Sequence, residues 1–153
     1  MARQINPLGL ELIKEAEGCR LTAYPDPASG GAPWTIGYGH TGSDVSEGMI
    51  IPIEVAEAML ISDLARFEDG VSECVTVGVS DNAFSALVSF AYNLGIGRLR
   101  GSTLLKMLNA GNVQGAADQF MLWTMPGSSV HAGLLTRRTG ERALFLTPDT
   151  IEV

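Results

Sequence analysis

The sequence predicts an α+β fold in which a small β-bearing N-terminal lobe is joined by a long helix to a mostly helical C-terminal lobe. Residues 21–40 have a period-two pattern broken by proline and glycine, which is typical of a β-hairpin or a small three-stranded sheet. A long helical pattern begins at Pro52, and shorter apolar patterns follow it. We therefore expect a single domain over residues 1–153, with an N-terminal lobe over about 1–51, a linking helix over about 52–70 and a C-terminal lobe over about 71–153.

The first helix is predicted to run from Pro7 to Glu17. Asn6 suits the N-cap and Pro7 suits the first helical position, while Gly18 suits the position just after a helix. A carboxyl group at Glu17 would then lie at the negative end of the helix dipole, which together with burial favours the protonated form. A general acid has to keep its proton in this way.

Residues 34–40 form the most regular strand-like run. Bulky side chains at positions 34, 36 and 38 alternate with Thr35, Gly37 and Gly39. We expect these three small residues to share one open face of the strand, which a substrate approaches closely.

The rest of the chain is predicted to be helical. A helix capped by Ser80 should end at Leu94, because glycine follows it. Shorter helices are expected around residues 103–109, 113–123 and 134–145, since glycine and proline interrupt the apolar pattern between them.

Charge is distributed unevenly along the chain, whose net charge is −7. Residues 1–78 contain four Lys/Arg against twelve Asp/Glu, a net charge of −8, whereas residues 79–153 contain six against five, a net charge of +1. Nucleic acid is a poor match for such an acidic protein, because phosphates require a basic surface. No run of 18 apolar residues predicts a transmembrane helix, and the charged N-terminal stretch is unlike a signal peptide.

Cysteine and histidine are too sparse to predict a metal site. Cys19 and Cys74 are expected to be free thiols, with a disulfide between them as the alternative. His40 and His131 lie far apart, with no cysteine or acid at ligand spacing. We therefore expect no metal and no cofactor.

Two carboxylates and a hydroxyl follow one another between the first helix and the strand-like run. Glu17 ends the helix, Asp26 lies in a proline-flanked turn, and Thr35 begins the run. Two acids on rigid edges, with a hydroxyl and a glycine-lined wall, suit general acid–base chemistry on a bulky polar substrate. Taken singly, the same residues would be a surface acid, a turn residue and an ordinary strand residue.

The pattern Glu17-Gly18, Tyr24-Pro25-Asp26 and TIGYGHT at 35–41 resembles the active-site signature of the phage-type lysozymes, the endolysins of glycoside hydrolase family 24. The likeness continues over almost the whole chain, in AEA at 56–58, DL at 63–64, FAYNLG at 90–95, STLL at 102–105 and GL, RR and E between 133 and 141. The resemblance implies a lysozyme-like fold. It also implies hydrolysis of the β-1,4 bond between N-acetylmuramic acid and N-acetylglucosamine in peptidoglycan, and host cell lysis.

The resemblance implies a role for each matching residue. Glu17 would protonate the leaving glycosidic oxygen, while Asp26 and Thr35 would hold and activate a water on the opposite face of the sugar, with inversion. The further implied roles are substrate binding by Gly39, Tyr92 and Asn93, a structural pair of His40 with Asp63, and a cation near Glu17 supplied by Arg137.

Two features depart from the family pattern. The loop between Asp26 and Thr35 is longer than in the shorter members, and we expect the additional residues at the hairpin tip. The net charge is acidic, whereas cell-wall lysozymes are commonly basic, so attraction to an anionic wall should be weak or reversed.

Peptidoglycan is the partner that the resemblance implies, and we expect a monomer without stable membrane association. Synthesis in the host cytoplasm and release to the periplasm through a separate holin-type pore are expected. Two alternatives remain open. A lytic transglycosylase needs the acid but no activated water, so Asp26 and Thr35 argue against it. A non-catalytic peptidoglycan-binding module would not need the three residues together.

Overall fold

The computed structural model describes residues 3–149 and has the predicted α+β composition. Helices dominate, and one small antiparallel sheet lies between the first and second helices. The elements are α1 (Pro7–Glu17), β1 (Arg20–Tyr24), β2 (Thr35–Gly37), β3 (His40–Thr41), α2 (Ile53–Cys74), α3 (Asp81–Leu94), α4 (Ile96–Arg100), α5 (Thr103–Asn109), α6 (Val113–Gln119), a 3-10 turn (Phe120–Leu122) and α7 (His131–Leu146).

The described chain divides into two compact units. One is formed by residues 14–65, and the other by residues 3–13 together with 66–149. These bounds differ from the expected lobes, because the start of the chain groups with the later helices and α2 contributes to both units. The expectation of a single domain over residues 1–153 stays a prediction.

In the unit of residues 14–65, the strands are ordered β1-β2-β3 and all neighbours are antiparallel. Thr35 on the central strand lies opposite Tyr24 on β1 and opposite Thr41 on β3. Between Arg20 and Tyr24 the register shifts, which indicates an irregularity in β1. The central position of β2 therefore fixes Thr35 from both sides.

The prediction that residues 35, 37 and 39 share one open face of a strand is wrong. Gly37 is buried, has a φ of +66°, and ends β2. A Cβ atom built on it would lie 3.4 Å from Cβ of Ala56 on α2, so this position faces the helix. Glycine is required here because other residues adopt a left-handed backbone only with strain. The alternation predicted for a straight strand ends at this point.

The predicted caps of α1 are present. The Asn6 side-chain oxygen accepts a hydrogen bond of 2.9 Å from the backbone N–H of Gly9, as an N-cap does. Gly18 has a φ of +68° and donates its N–H to the carbonyl of Lys14 at 2.9 Å. Glu17 is therefore the last helical residue, as the sequence predicts.

In the unit of residues 3–13 and 66–149, the buried helix α3 packs against α7. Ser80 caps α3 by accepting a hydrogen bond from the N–H of Ala83, and Gly95 ends the helix, as predicted. The structure differs from the prediction in three places. The short helix α4 was not predicted, α6 gives way to a 3-10 turn, and α7 begins at His131.

Candidate active site

Glu17 lies at the junction between α1 and β1. It is half-buried, and the left-handed Gly18 turns the chain out of the helix directly after it. Arg20 then begins β1 and pairs with Gly37 of β2. Glu17, the predicted general acid, therefore lies at the end of a helix, three residues before the edge strand of the sheet.

Asp26 lies at the neck of the loop that follows β1. Its backbone N–H donates to the carbonyl of Gly31 at 3.0 Å, and its own carbonyl accepts from the N–H of Gly30 at 2.8 Å. Its side-chain Oδ1 accepts a hydrogen bond of 3.0 Å from the N–H of Ala28. These bonds fix one carboxylate oxygen, while Oδ2 has no hydrogen-bond partner among residues 3–149.

The tip of this loop lies beyond these bonds. Residues 27–30 are exposed, and the pair between Asp26 and Gly31 closes the loop behind them. The backbone of Asp26 is therefore held at the base of the tip, and the expected position of the additional residues at the tip stays a prediction.

Thr35 carries its hydroxyl beside a second hydroxyl. The two Oγ1 atoms of Thr35 and Thr41 are 2.8 Å apart, and either can donate to the other. Thr41 is the last residue of the TIGYGHT motif at 35–41, but no role was predicted for it from the sequence. The two threonines are recognisable as neighbours only from the register of β2 and β3, which the short turn at Tyr38-Gly39 sets.

The sheet also relates Asp26 to Thr35. Tyr24 lies opposite Thr35, and Asp26 follows Tyr24 by two residues. Of the predicted site residues, the unit of residues 14–65 contains Glu17, Asp26, Thr35, Gly39, His40 and Asp63. Gly39 is half-buried in the turn before β3, with a φ of +86°.

His40 forms hydrogen bonds with two aspartates. Its Nδ1 lies 2.7 Å from Oδ2 of Asp63, and its Nε2 lies 2.9 Å from Oδ2 of Asp44. The side chains of His40 and Asp63 are each 15% exposed, whereas that of Asp44 is 61% exposed. The Asp63 contact is therefore the more shielded of the two, and Asp44 is a partner that the sequence did not predict.

These contacts change the acidity of the imidazole. Burial alone lowers the pKa of His40, but the hydrogen bonds to Asp63 and Asp44 and the charges of both carboxylates outweigh burial. The pKa of His40 is therefore raised above its ordinary 6.5. The hydrogen bond from His40 likewise lowers the pKa of Asp44.

Three predicted site residues belong to the other unit. Tyr92 and Asn93 are half-buried in the last turn of α3, and the Tyr92 ring packs edge-on against Phe67 with centroids 5.3 Å apart. The side-chain oxygen of Asn93 accepts a hydrogen bond of 2.7 Å from Arg138. This bond leaves the Asn93 amide nitrogen as the group that can donate to a ligand.

Arg137 is buried in an ion cluster on α7. Its Nε lies 3.2 Å from Oε2 of Glu141, and one of its terminal nitrogens donates to the carbonyl of Ser89 at 3.1 Å. Arg138 lies 2.7 Å from the other oxygen of Glu141. Burial raises the pKa of Glu141, while the two guanidinium groups and the Ser89 hydroxyl act against that rise. The expected contact of Arg137 with Glu17 stays a prediction.

The structure of residues 3–149 also bears on metal binding, membrane crossing and disulfide formation. Within that range, no group of three or more His, Cys, Asp or Glu residues is arranged to hold a metal ion. None of the described helices is both long and apolar enough to cross a membrane. Cys19 and Cys74 are free thiols, so the alternative of a disulfide between them is wrong.

The family model described as phage lysozyme matches residues 14–141. The chain belongs to the phage lysozyme family. The endolysin of Bacillus phage B103 is 48% identical over 149 residues, covering 97% of this chain and 56% of the phage protein. The endolysin of Salmonella phage P22 is 44% identical over 148 residues, covering 94% of this chain and 99% of its own length.

The fold of this phage lysozyme family member matches a solved structure of related sequence. The muramidase domain of SpmX from Asticaccaulis excentricus superposes with a TM-score of 0.87 at 39% identity, covering 95% of this chain and 99% of that domain. The resemblance recognised in the sequence and the lysozyme-like fold are both confirmed. The chain spans little more than half the length of the B103 endolysin and of a second Bacillus phage endolysin.

Proposed function

We propose that this member of the phage lysozyme family is an inverting peptidoglycan hydrolase that cleaves the β-1,4 bond between N-acetylmuramic acid and N-acetylglucosamine. The observation that carries the proposal is the position of three residues around one three-stranded sheet: Glu17 ends the helix before β1, Asp26 follows β1 by two residues, and Thr35 lies on β2. The sequence relatives are endolysins, and a structural neighbour is a muramidase domain. Family and geometry therefore support the same chemistry.

Glu17 is the general acid of this mechanism. Its carboxyl proton is transferred to the glycosidic oxygen as the bond from that oxygen to the anomeric carbon breaks. Glu17 is the last residue of α1 and lies at the junction with β1, where it is half-buried. The leaving sugar departs with this proton as a new hydroxyl group.

Asp26 and Thr35 hold the attacking water. One Asp26 oxygen is fixed by the N–H of Ala28, so the second oxygen is available to accept a proton from the water. The water oxygen forms the new bond to the anomeric carbon on the face opposite the leaving group, and the configuration is inverted. Thr35 accepts the second water hydrogen in a hydrogen bond and keeps its own proton.

The cellular role that we propose is degradation of the host wall. In this proposal the protein is made in the cytoplasm of a bacterial host and reaches peptidoglycan through a separate holin-type pore. It acts as a monomer, with Gly39, Tyr92 and Asn93 binding the glycan. His40, Asp63 and Arg137 have a supporting structural role.

Digestion of purified peptidoglycan, followed by mass spectrometry of the released muropeptides, tests the reaction. Wild-type protein should release fragments with hydrated reducing ends, and Glu17→Gln should reduce the rate by at least about a hundredfold, because proton transfer typically contributes ~100- to 10,000-fold. Glu15→Gln is the matched control, because it removes a carboxylate from an exposed position on the same helix.

Each alternative gives a different result. Fragments with 1,6-anhydro ends would identify a lytic transglycosylase. Binding of peptidoglycan without release of fragments, by wild type and Glu17→Gln alike, would identify a non-catalytic binding module.

A further inference from the structure

The contact between Thr35 and Thr41 lies next to the proposed water site and has no role in the mechanism described so far. The two hydroxyl oxygens are 2.8 Å apart across the antiparallel pair β2–β3. Thr35 is half-buried, whereas Thr41 is exposed. The contact therefore lies at the solvent-facing end of a residue that is proposed to bind the nucleophile.

The direction of this hydrogen bond determines what Thr35 offers to the water. A threonine hydroxyl has one proton to donate and two lone pairs that accept. A water that attacks through a lone pair needs acceptors for both of its hydrogens. Asp26 supplies one acceptor, and Thr35 supplies the other only when its own proton is directed elsewhere.

We propose that Thr41 is a positioning residue for the reaction: it accepts the Thr35 proton and thereby turns a Thr35 lone pair toward the water. This inference rests on the proposed function. No proton is transferred between the two threonines. The bond only selects the hydroxyl rotamer of Thr35 in which both water hydrogens find acceptors.

The simpler interpretation is a cross-strand pair that only stabilises the sheet. Cross-strand pairs of threonine contribute roughly 0.2–1 kcal/mol to stability. A purely structural pair would affect unfolding and leave turnover unchanged. If Thr41 positions Thr35, loss of the Thr41 hydroxyl should lower kcat and retention of the hydroxyl should preserve it. KM should change little in either case.

Four variants separate these interpretations. Thr41→Val keeps the shape and removes the hydroxyl, Thr41→Ala removes it without branching, and Thr41→Ser restores it. Thr22→Val is the matched control, since Thr22 is an exposed threonine on β1 of the same sheet. kcat and KM are measured for each variant on a soluble peptidoglycan fragment, and thermal unfolding is followed in parallel.

Thr41→Val and Thr41→Ala should each lower kcat about tenfold with KM nearly unchanged, because one oriented hydrogen bond is at stake. Thr41→Ser should recover most of the rate, and Thr22→Val should match wild type. In a Thr35→Val background, Thr41→Val should cause no further loss, because both changes remove the same interaction.

Unchanged or increased kcat in both hydroxyl-free variants would overturn the inference. So would equal losses in Thr41→Ser and Thr41→Val. These outcomes differ from a failure of the proposed function, in which wild type itself releases no hydrated product. If Thr41→Val does not fold, Thr41→Ala and Thr41→Ser decide the question.

Discussion

His40 lies between two aspartates of unequal exposure, and this arrangement makes the stability of the sheet region dependent on pH. The folded protein favours protonated His40 because its pKa is raised above the ordinary value. The stabilisation is therefore complete below the unfolded-state pKa of about 6.5 and is lost as the pH rises through the higher folded-state value.

Replacing Asp63 with Asn should lower the pKa of His40 and reduce stability below about pH 6.5, where the imidazole is charged in both states. Asp44→Asn should have a smaller effect, because Asp44 is 61% exposed and water screens its charge. NMR titration of His40 measures the shift, and His131 supplies a second imidazole in the same spectra. Turnover should be unchanged in both variants. If the pKa of His40 were the same in Asp63→Asn as in wild type, the contact with Asp63 would not be the cause of the raised pKa.

Sequence and structure agree unevenly at the scale of single residues. Glu17 was predictable because a helix start and a following glycine define its position from local sequence alone. Thr41 and Asp44 were not, because their contacts depend on strand register and on the turn after β3. Such contacts form between backbone segments whose relative placement the sequence pattern does not specify.

The helix α1 meets α3 at a position where no side chain fits. A Cβ atom on Gly9 would lie 2.6 Å from Cβ of the buried Ser85. The backbone N–H of Asn6 also donates to the Ser85 hydroxyl at 2.9 Å. The start of α1 is therefore held against α3 by close backbone approach and by a hydrogen bond.

Gly9→Ala should destabilise the protein by about 1–3 kcal/mol, because the packed helices must separate to admit the methyl group. Gly133→Ala is the matched control. Gly133 is likewise the third residue of a helix, α7, and its Cβ would meet nothing within 4 Å. It should stabilise by up to about 1 kcal/mol, as alanine does in helices. Denaturant unfolding measures both, and equal effects of the two changes would contradict the packing argument.

Most helices could be predicted from periodicity and caps, but the strand at 34–40 could not be predicted fully. A left-handed glycine at position 37 looks like an ordinary small residue in an alternating pattern. In the structure Gly37 has a φ of +66° and faces Ala56 of α2. The predicted alternation failed there because the sequence pattern shows neither the left-handed backbone nor the tertiary contact.

The net charge of −7 affects how the whole molecule meets its proposed substrate. An acidic protein and an anionic cell wall repel each other, and salt screens that repulsion. The screening length falls from about 30 Å at 0.01 M salt to about 10 Å at 0.1 M.

Activity on whole cell walls should therefore rise from low to moderate ionic strength. The rate on a short, uncharged glycan should stay nearly constant and serves as the control. Turbidity clearing measures the first rate, and reducing-end release measures the second. A steady fall of wall clearing over the same range would show that repulsion does not limit the reaction.

The central claim is that a water held by Asp26 and Thr35 attacks the sugar on the face opposite the bond that Glu17 protonates. Proton NMR of the first products from a soluble β-linked peptidoglycan fragment, recorded before the anomers equilibrate, tests it most directly. Inversion predicts that the α-anomer appears first. Initial release of the β-anomer would contradict the claim, because it would require a mechanism that retains configuration.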